Sequence, residues 1–271
     1  MERGISLSKE SKTHQTSFWS LLIVAMLVNI LSQTIHETGH HMVYQVMGRD
    51  PVWGFTKMVQ LWDRLPLDPD TWVESTGADG ERGWLRLGSL AEGRAEKAIA
   101  AAAGPLAGLL GAVLGLIVAR WGRSPAIKQI GLALALSASL VAILYYLRSP
   151  MRTGGDEADI AAQLNVARPA IEIPFALTFV LCMFLDLRQL ASWRVRLKWL
   201  GAVLLGSVAT GLPMALADGV VIAQVDAGNP WVRPILGYSL PVVLVNGLAL
   251  LGLWIWVRRQ DGRAIERQSA P

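Results

Sequence analysis

Residues 18–40 read FWSLLIVAMLVNILSQTIHETGH, an apolar stretch that runs directly into the pattern HExxH at His36–His40. The stretch is long enough to cross the hydrocarbon core of a bilayer as a helix. On a helix, side chains four positions apart lie about 40° apart around the axis and about 6 Å apart along it, so His36 and His40 can reach one ion. Glu37 faces the same pocket and is the candidate base. The stretch therefore predicts a metal site on a membrane helix.

The composition predicts the class of fold. The chain has 271 residues, of which 52% are hydrophobic, and a mean hydropathy of +0.39, which is far more apolar than a soluble domain of this size. Six windows are long and apolar enough to cross a core of about 30 Å. They lie near 18–47, 97–119, 128–147, 170–187, 198–224 and 234–257. The sequence therefore predicts an all-α polytopic membrane protein with about six transmembrane helices.

The longest segment between the predicted spans is the loop 49–96, which mixes Trp with Gly, Pro and Asp. It is too short and broken to predict a domain, and we expect a small irregular or β loop. Its stretches 51–59 and 84–87 could form short strands beside the site. A strand edge there could hold a peptide extended. A plain capping loop is the alternative interpretation.

The cysteine content and the distribution of charge limit which metal ligands and partners are possible. Cys182 is the only cysteine and lies in an apolar window, which excludes disulfides and thiolate zinc sites, so a metal must use nitrogen and oxygen ligands. The net charge is +4, but Lys and Arg are spread over short loops and do not form one soluble basic face, so no nucleic-acid partner is expected. Their distribution follows the positive-inside rule and predicts that both termini are cytoplasmic.

The third metal ligand must come from downstream of HExxH, because a catalytic zinc site normally has three protein ligands and one open position. Placing an ionisable group in or near a membrane span costs free energy, so each carboxylate there is a candidate metal ligand. Two segments stand out, Thr153–Asp159 after the third span and Pro213–Gly219 in the fifth. Asp156 and Asp218 both fall on the same side of the bilayer as the histidines, and both remain possible ligands.

The second span carries consecutive GxxxG patterns from Gly104 to Gly115, which allow another helix to approach closely. We expect the HExxH helix to be that neighbour. Together, Ile35–His40 and the segment Ala103–Gly108, which looks like an AGPL motif, resemble the site-2 protease family of intramembrane zinc metalloproteases. The resemblance covers about residues 18–165.

The family's Asp-Gly motif is divergent in this chain. Asp156 has the expected place in the order of spans, but the usual Asn is missing and Glu157 stands where Gly is usual. Asp218-Gly219 fits the local spacing better but comes two spans late. Because the order of helices determines which side chains can meet, we favour Asp156, with Asp218 as the main alternative and Glu157 and Asp159 as lesser ones.

The resemblance implies a metalloprotease-like three-helix core in residues 18–165, preceded by a cytoplasmic tail, 1–17, and followed by additional transmembrane helices and a tail, 166–271. It implies that His36, His40 and Asp156 bind Zn²⁺, which lowers the pKa of water toward neutrality. Glu37 would be the catalytic base. The implied partner is a membrane-protein substrate, cut in or near an unwound transmembrane segment.

Three other interpretations remain open. The missing Asn favours an inactive protease relative that binds zinc and acts as a binding or scaffold protein. A transporter or scaffold with a chance HExxH would bind no stoichiometric metal. A membrane protease of the CAAX endopeptidase type would explain Asp156–Asp159, but that pattern needs a Glu where Gly155 stands.

Overall fold

The computed structural model describes residues 17–48, 51–56, 58–62, 72–76, 82–87, 91, 93–151, 154–226, 235 and 237–269. Its helices are α1 (Phe18–Val46), α2 (Arg94–Trp121), α3 (Pro125–Leu147), α4 (Asp156–Leu164), α5 (Arg168–Leu187), α6 (Trp193–Asp226) and α7 (Leu240–Ser269). All of these except α4 are long and apolar enough to cross a membrane. Among the described residues, the predicted all-α architecture with six helices that could span a membrane is confirmed.

Local side chains set several helix boundaries. α1 begins after Ser17, whose Oγ accepts a hydrogen bond of 3.2 Å from the N–H of Ser20. α3 begins after Ser124, whose Oγ accepts one of 3.3 Å from the N–H of Ile127. Such N-caps satisfy N–H groups that the first turn of a helix leaves without partners.

The sixth predicted window begins too early. The window starts at 234, whereas α7 starts at Leu240. Before the helix, the backbones of Ile235 and Tyr238 pair across a tight turn in which Gly237 has φ +86°. The N–H of Trp53 also donates to the carbonyl of Gly237 at 3.1 Å. These apolar residues therefore fasten the loop after α1 instead of extending the span.

The loop between α1 and α2 contains a four-stranded antiparallel sheet in the order β1-β2-β4-β3. The strands are β1 (Val52–Trp53), β2 (Met58–Trp62), β3 (Trp72–Thr76) and β4 (Arg82–Leu87). Trp62 pairs with Trp84, and Trp72 pairs with Arg86. The stretches 51–59 and 84–87 thus contain strands, and β3 is a strand that the sequence did not predict.

Small residues bring α2 close to both α1 and α3. A Cβ on Gly39 of α1 would lie 2.7 Å from the Cβ of Ala107 on α2. A Cβ on Gly115 of α2 would similarly meet the backbone of Gly131 on α3, 2.8 Å from its carbonyl oxygen. The prediction that the GxxxG helix is the neighbour of the HExxH helix is confirmed.

Polar side chains tie α1 to the last two spans. Asn29 donates to Thr210 of α6 at 2.7 Å and accepts from Ser207 at 3.1 Å. Thr34 donates to Asn246 of α7 at 2.9 Å. Hydrogen bonds between membrane helices orient them with respect to one another. Two of the later spans therefore hold the helix that carries HExxH through polar contacts.

Candidate metal centre

Three side chains converge where α1 meets the start of α4. Oδ2 of Asp156, the first residue of α4, lies 3.2 Å from Nε2 of His36 and 3.4 Å from Nε2 of His40. One donor atom from each of the three residues lies within 4.8 Å of the others. The structure brings the three predicted metal-binding residues together.

These separations suit a small divalent cation. Zinc binds imidazole nitrogen and carboxylate oxygen at about 2.0–2.2 Å, and tetrahedral ligands at that radius lie about 3.3–3.6 Å from one another. The measured distances of 3.2 and 3.4 Å between Asp156 and the two histidines fall close to that range. The donor set of two imidazoles and one carboxylate is common to catalytic zinc sites. The residues present therefore fit zinc.

A backbone contact sets the orientation of His40. Its Nδ1 lies 2.6 Å from the carbonyl oxygen of Ala100 on α2. A carbonyl oxygen can only accept, so Nδ1 carries a proton and Nε2 faces the group, where it donates to Asp156 when protonated and offers its lone pair to a metal when not. Such a contact holds the ring in place before a metal binds.

A glycine on α2 makes room for the two rings. A Cβ on Gly104 would lie 2.8 Å from Nε2 of His36 and closer still to Nε2 of His40. Any larger residue at this position would occupy the space in which the donor atoms meet. Gly104 is therefore needed for clearance, as well as for helix packing.

Asp156 is held by the way in which α4 is attached. Gly155 lies directly before Asp156 and has φ +125°, a conformation that favours glycine. At the other end of α4, Arg94 of α2 donates to the carbonyl of Gln163, at 3.1 Å through Nε and 2.7 Å through Nη2. Because α2 also carries Gly104, this one helix holds the helix that bears Asp156 and leaves room for the two histidine rings.

The electrostatics of α4 favour a charged ligand. Burial alone would raise the pKa of Asp156, but hydrogen bonds with His36 and His40 outweigh it and hold that pKa well below its usual range. In contrast, burial raises the pKa of the neighbouring Glu157, although Tyr146 donates to its Oε1 at 2.6 Å. Asp156 is therefore ionised at neutral pH.

Glu37 lies beside the group in the place expected of a base. Its carboxylate is buried, and Oε1 accepts a hydrogen bond of 2.8 Å from Nε2 of Gln33. It is within electrostatic range of His36, His40 and Asp156. Gln33 thus orients Glu37, in the manner of a polar residue supporting a metal site.

The other candidate residues have different surroundings. Both oxygens of the buried Asp218 accept hydrogen bonds from the loop after α1, from the backbone N–H groups of Phe55 and Thr56 and from the Thr56 hydroxyl. His41 stacks on Trp53 and contacts Tyr238, with ring centroids 5.5 and 5.0 Å apart. Asp218 therefore anchors the loop. His41 follows His40 directly and is offset from it by about 100° on the helix, so its ring points away from the group.

Two contributors were missed by the sequence interpretation. The Ala100 carbonyl carries no residue-type signal, because every residue has one. Tyr146, the partner of Glu157, lies at the end of α3 beside Tyr145, and a pair of tyrosines next to an acidic segment was a signal that could have been used.

The fold and this group define a multi-pass helical membrane protein with a two-histidine, one-aspartate group that could hold a metal ion. Comparison with protein-family models, with curated proteins and with solved structures finds no match.

Proposed function

We propose that this chain is an intramembrane zinc metalloprotease of the site-2 protease type, which hydrolyses a peptide bond in or near a transmembrane segment of another membrane protein. The observation that carries the proposal is the convergence of His36, His40 and Asp156 beside the buried Glu37. Two ligands on one helix, a third from another and an adjacent carboxylate form the donor set and base that metal-assisted hydrolysis requires.

The depth of the group supports a substrate at the membrane. His36 and His40 lie 18 and 22 residues after Phe18, or about 27–33 Å along the helix, which is close to the far boundary of a core of about 30 Å. The side chains of His36 and Asp156 are 29% and 31% exposed. The group is therefore partly exposed near that boundary, as access for water and an extended peptide would require.

The residues divide the chemical work as follows. His36, His40 and Asp156 would hold zinc, which when bound supplies positive charge that acidifies water and polarises a carbonyl. Glu37 accepts a proton from the attacking water and passes it to the leaving nitrogen as the peptide C–N bond breaks. The substrate must be unwound there, because an intact helix hides its carbonyls in internal hydrogen bonds.

Metal content tests the first half of the proposal. We expect about one zinc per chain in the detergent-purified protein, by elemental mass spectrometry, and loss of that zinc in His40→Ala and Asp156→Ala. Asp218→Ala is the matched control, because it removes a buried carboxylate outside the group. A folded, zinc-supplied wild type without metal would contradict the proposal.

Cleavage tests the second half. In proteoliposomes, the wild type should cut members of a set of transmembrane peptides, and Glu37→Gln should keep its zinc and lose about 10²-fold or more of the rate. A wild type that binds zinc but shows no cleavage dependent on Glu37 would overturn the protease proposal and favour the non-catalytic zinc-binding role.

A further inference from the structure

A second site lies near the opposite end of α2. There a cleft of about 320 Å³ opens between α2 and α5, and its lining consists of Val113, Leu116, Ile117, Arg120, Trp121, Leu185 and Gln189. Arg120 follows Gly104 by 16 residues, which is about 24 Å along the helix. The cleft is therefore separate from the metal group.

The lining changes from apolar to polar along the cleft. Val113 to Ile117 lie within the span, whereas Arg120 and Trp121 form its last turn. Trp121 is 73% exposed, as expected for an indole at the level of lipid headgroups. Within the part of the chain that the structure describes, no acidic side chain forms an ion pair with Arg120. Its charge is available to a ligand.

The surrounding end of the molecule is strongly basic. The span ends and short turns on this side carry Arg123, Lys128, Arg188, Arg194, Arg196, Lys198, Arg258 and Arg259. The acidic residues near them include Asp186, which is fully buried, and Asp261. A basic region at a span end attracts anionic lipids, and a basic pocket between membrane helices binds their headgroups.

We propose that this cleft binds an anionic phospholipid, with an acyl chain along Val113, Ile117 and Leu185 and the phosphate beside Arg120. The apolar wall matches a hydrocarbon chain, and the Arg120 guanidinium at its end matches a phosphate. Gln189 adds an amide that can donate to the same headgroup. An exposed basic patch alone would attract any anion, whether or not it carries an acyl chain. The apolar cleft beside Arg120 therefore makes the site selective for an anionic lipid.

Lipid binding to the purified full-length chain tests the proposal. Native mass spectrometry would compare phosphatidylglycerol with phosphatidylcholine of the same acyl chains, for the wild type, Arg120→Gln and the matched control Arg123→Gln. We expect preferential retention of phosphatidylglycerol and about a fivefold weaker affinity in Arg120→Gln, equivalent to about 1 kcal/mol. Arg123→Gln removes an equal charge outside the cleft and should change affinity less than twofold.

Two further experiments distinguish binding through the lipid headgroup from binding through the acyl chain. Ile117→Trp fills the apolar part of the cleft and should weaken lipid binding while its thermal unfolding stays that of the wild type. Soluble glycerol phosphate should fail to displace the lipid. Equal retention of the two lipids, equal losses in Arg120→Gln and Arg123→Gln, or displacement by glycerol phosphate would each overturn the proposal.

Discussion

Asp218 is fully buried on α6, and its carboxylate accepts hydrogen bonds from Phe55 and Thr56. Removing it leaves buried N–H groups without a partner. We expect Asp218→Ala to lower the free energy of unfolding by about 1–3 kcal/mol, measured by denaturation in detergent. Zinc content should stay the same. Loss of zinc in this variant, at unchanged stability, would identify Asp218 as the third ligand instead.

Asp186 is equally buried, but within the described part of the chain neither of its carboxylate oxygens has a hydrogen-bond partner. Burying a polar group without a partner costs free energy, so a residue with the same branched shape but without that group should be favoured. We expect Asp186→Leu to raise the free energy of unfolding by about 1–3 kcal/mol. Asp218→Leu is the matched control, because its carboxylate is hydrogen-bonded, and it should have the opposite sign. A destabilised Asp186→Leu protein would contradict this account.

At the scale of elements, the contact between α1 and α2 builds the metal group. Gly104 leaves the space into which the rings of His36 and His40 extend. We expect Gly104→Ala to weaken zinc affinity at least tenfold, because its methyl group would displace His40. The measurement is zinc titration against a competing chelator.

The control for that substitution is Gly247→Ala on α7, since a Cβ there meets no atom of the described residues within 4 Å, apart from the adjacent backbone of its own helix. It should leave zinc affinity unchanged and should not lower stability, because Ala is a better helix former than Gly. If Gly104→Ala bound zinc as tightly as the wild type, the clearance argument would be wrong.

The attachment of α4 gives a second prediction at this scale. Arg94 donates side-chain hydrogen bonds to the carbonyls of Ala162 and Gln163 at the C-terminal end of α4, and α4 carries Asp156. Replacing Arg94 with Met keeps an unbranched, apolar side chain of similar reach and removes the donors. We expect zinc affinity to fall about tenfold, with the helical content unchanged by circular dichroism. Unchanged affinity would show that α4 is positioned without this contact.

At the scale of the whole molecule, the six candidate spans in the described residues predict that the two ends of the chain lie on one side of the membrane. The excess of Lys and Arg near that side predicts that the side is cytoplasmic. Epitope tags at both termini should therefore be cleaved by added protease in inside-out vesicles and protected in right-side-out ones. Opposite protection of the two tags would contradict the even number of spans.

The arrangement of the six spans also explains the later helices, which the sequence interpretation left without a role. α6 and α7 hold α1 through Thr210 and Asn246, and α6 anchors the loop after α1 through Asp218. Holding α1 and anchoring the loop after it both depend on individual polar side chains in otherwise apolar segments. Hydropathy located the segments but could not show which helix each polar residue faces.

The sequence by itself determined the membrane class, the approximate spans and the pairing of His36 with His40. These follow from local properties, because hydropathy is a sum over one segment and residues four apart share a helix face. It also placed Asp156 in the right order of spans, yet left Asp218 open. Both aspartates are rare carboxylates near spans on the same side of the bilayer.

Tertiary structure decided between those two aspartates, because only the packing of α4 against α1 and α2 brings one of them to the histidines. Tertiary structure also determines that Gly104 leaves space for the histidine rings, that His40 contacts the Ala100 carbonyl, and that a turn precedes α7, which therefore begins at Leu240. Each of these depends on which atoms meet between segments distant in sequence. A local pattern can limit such contacts, but only the packing of the helices selects one of them.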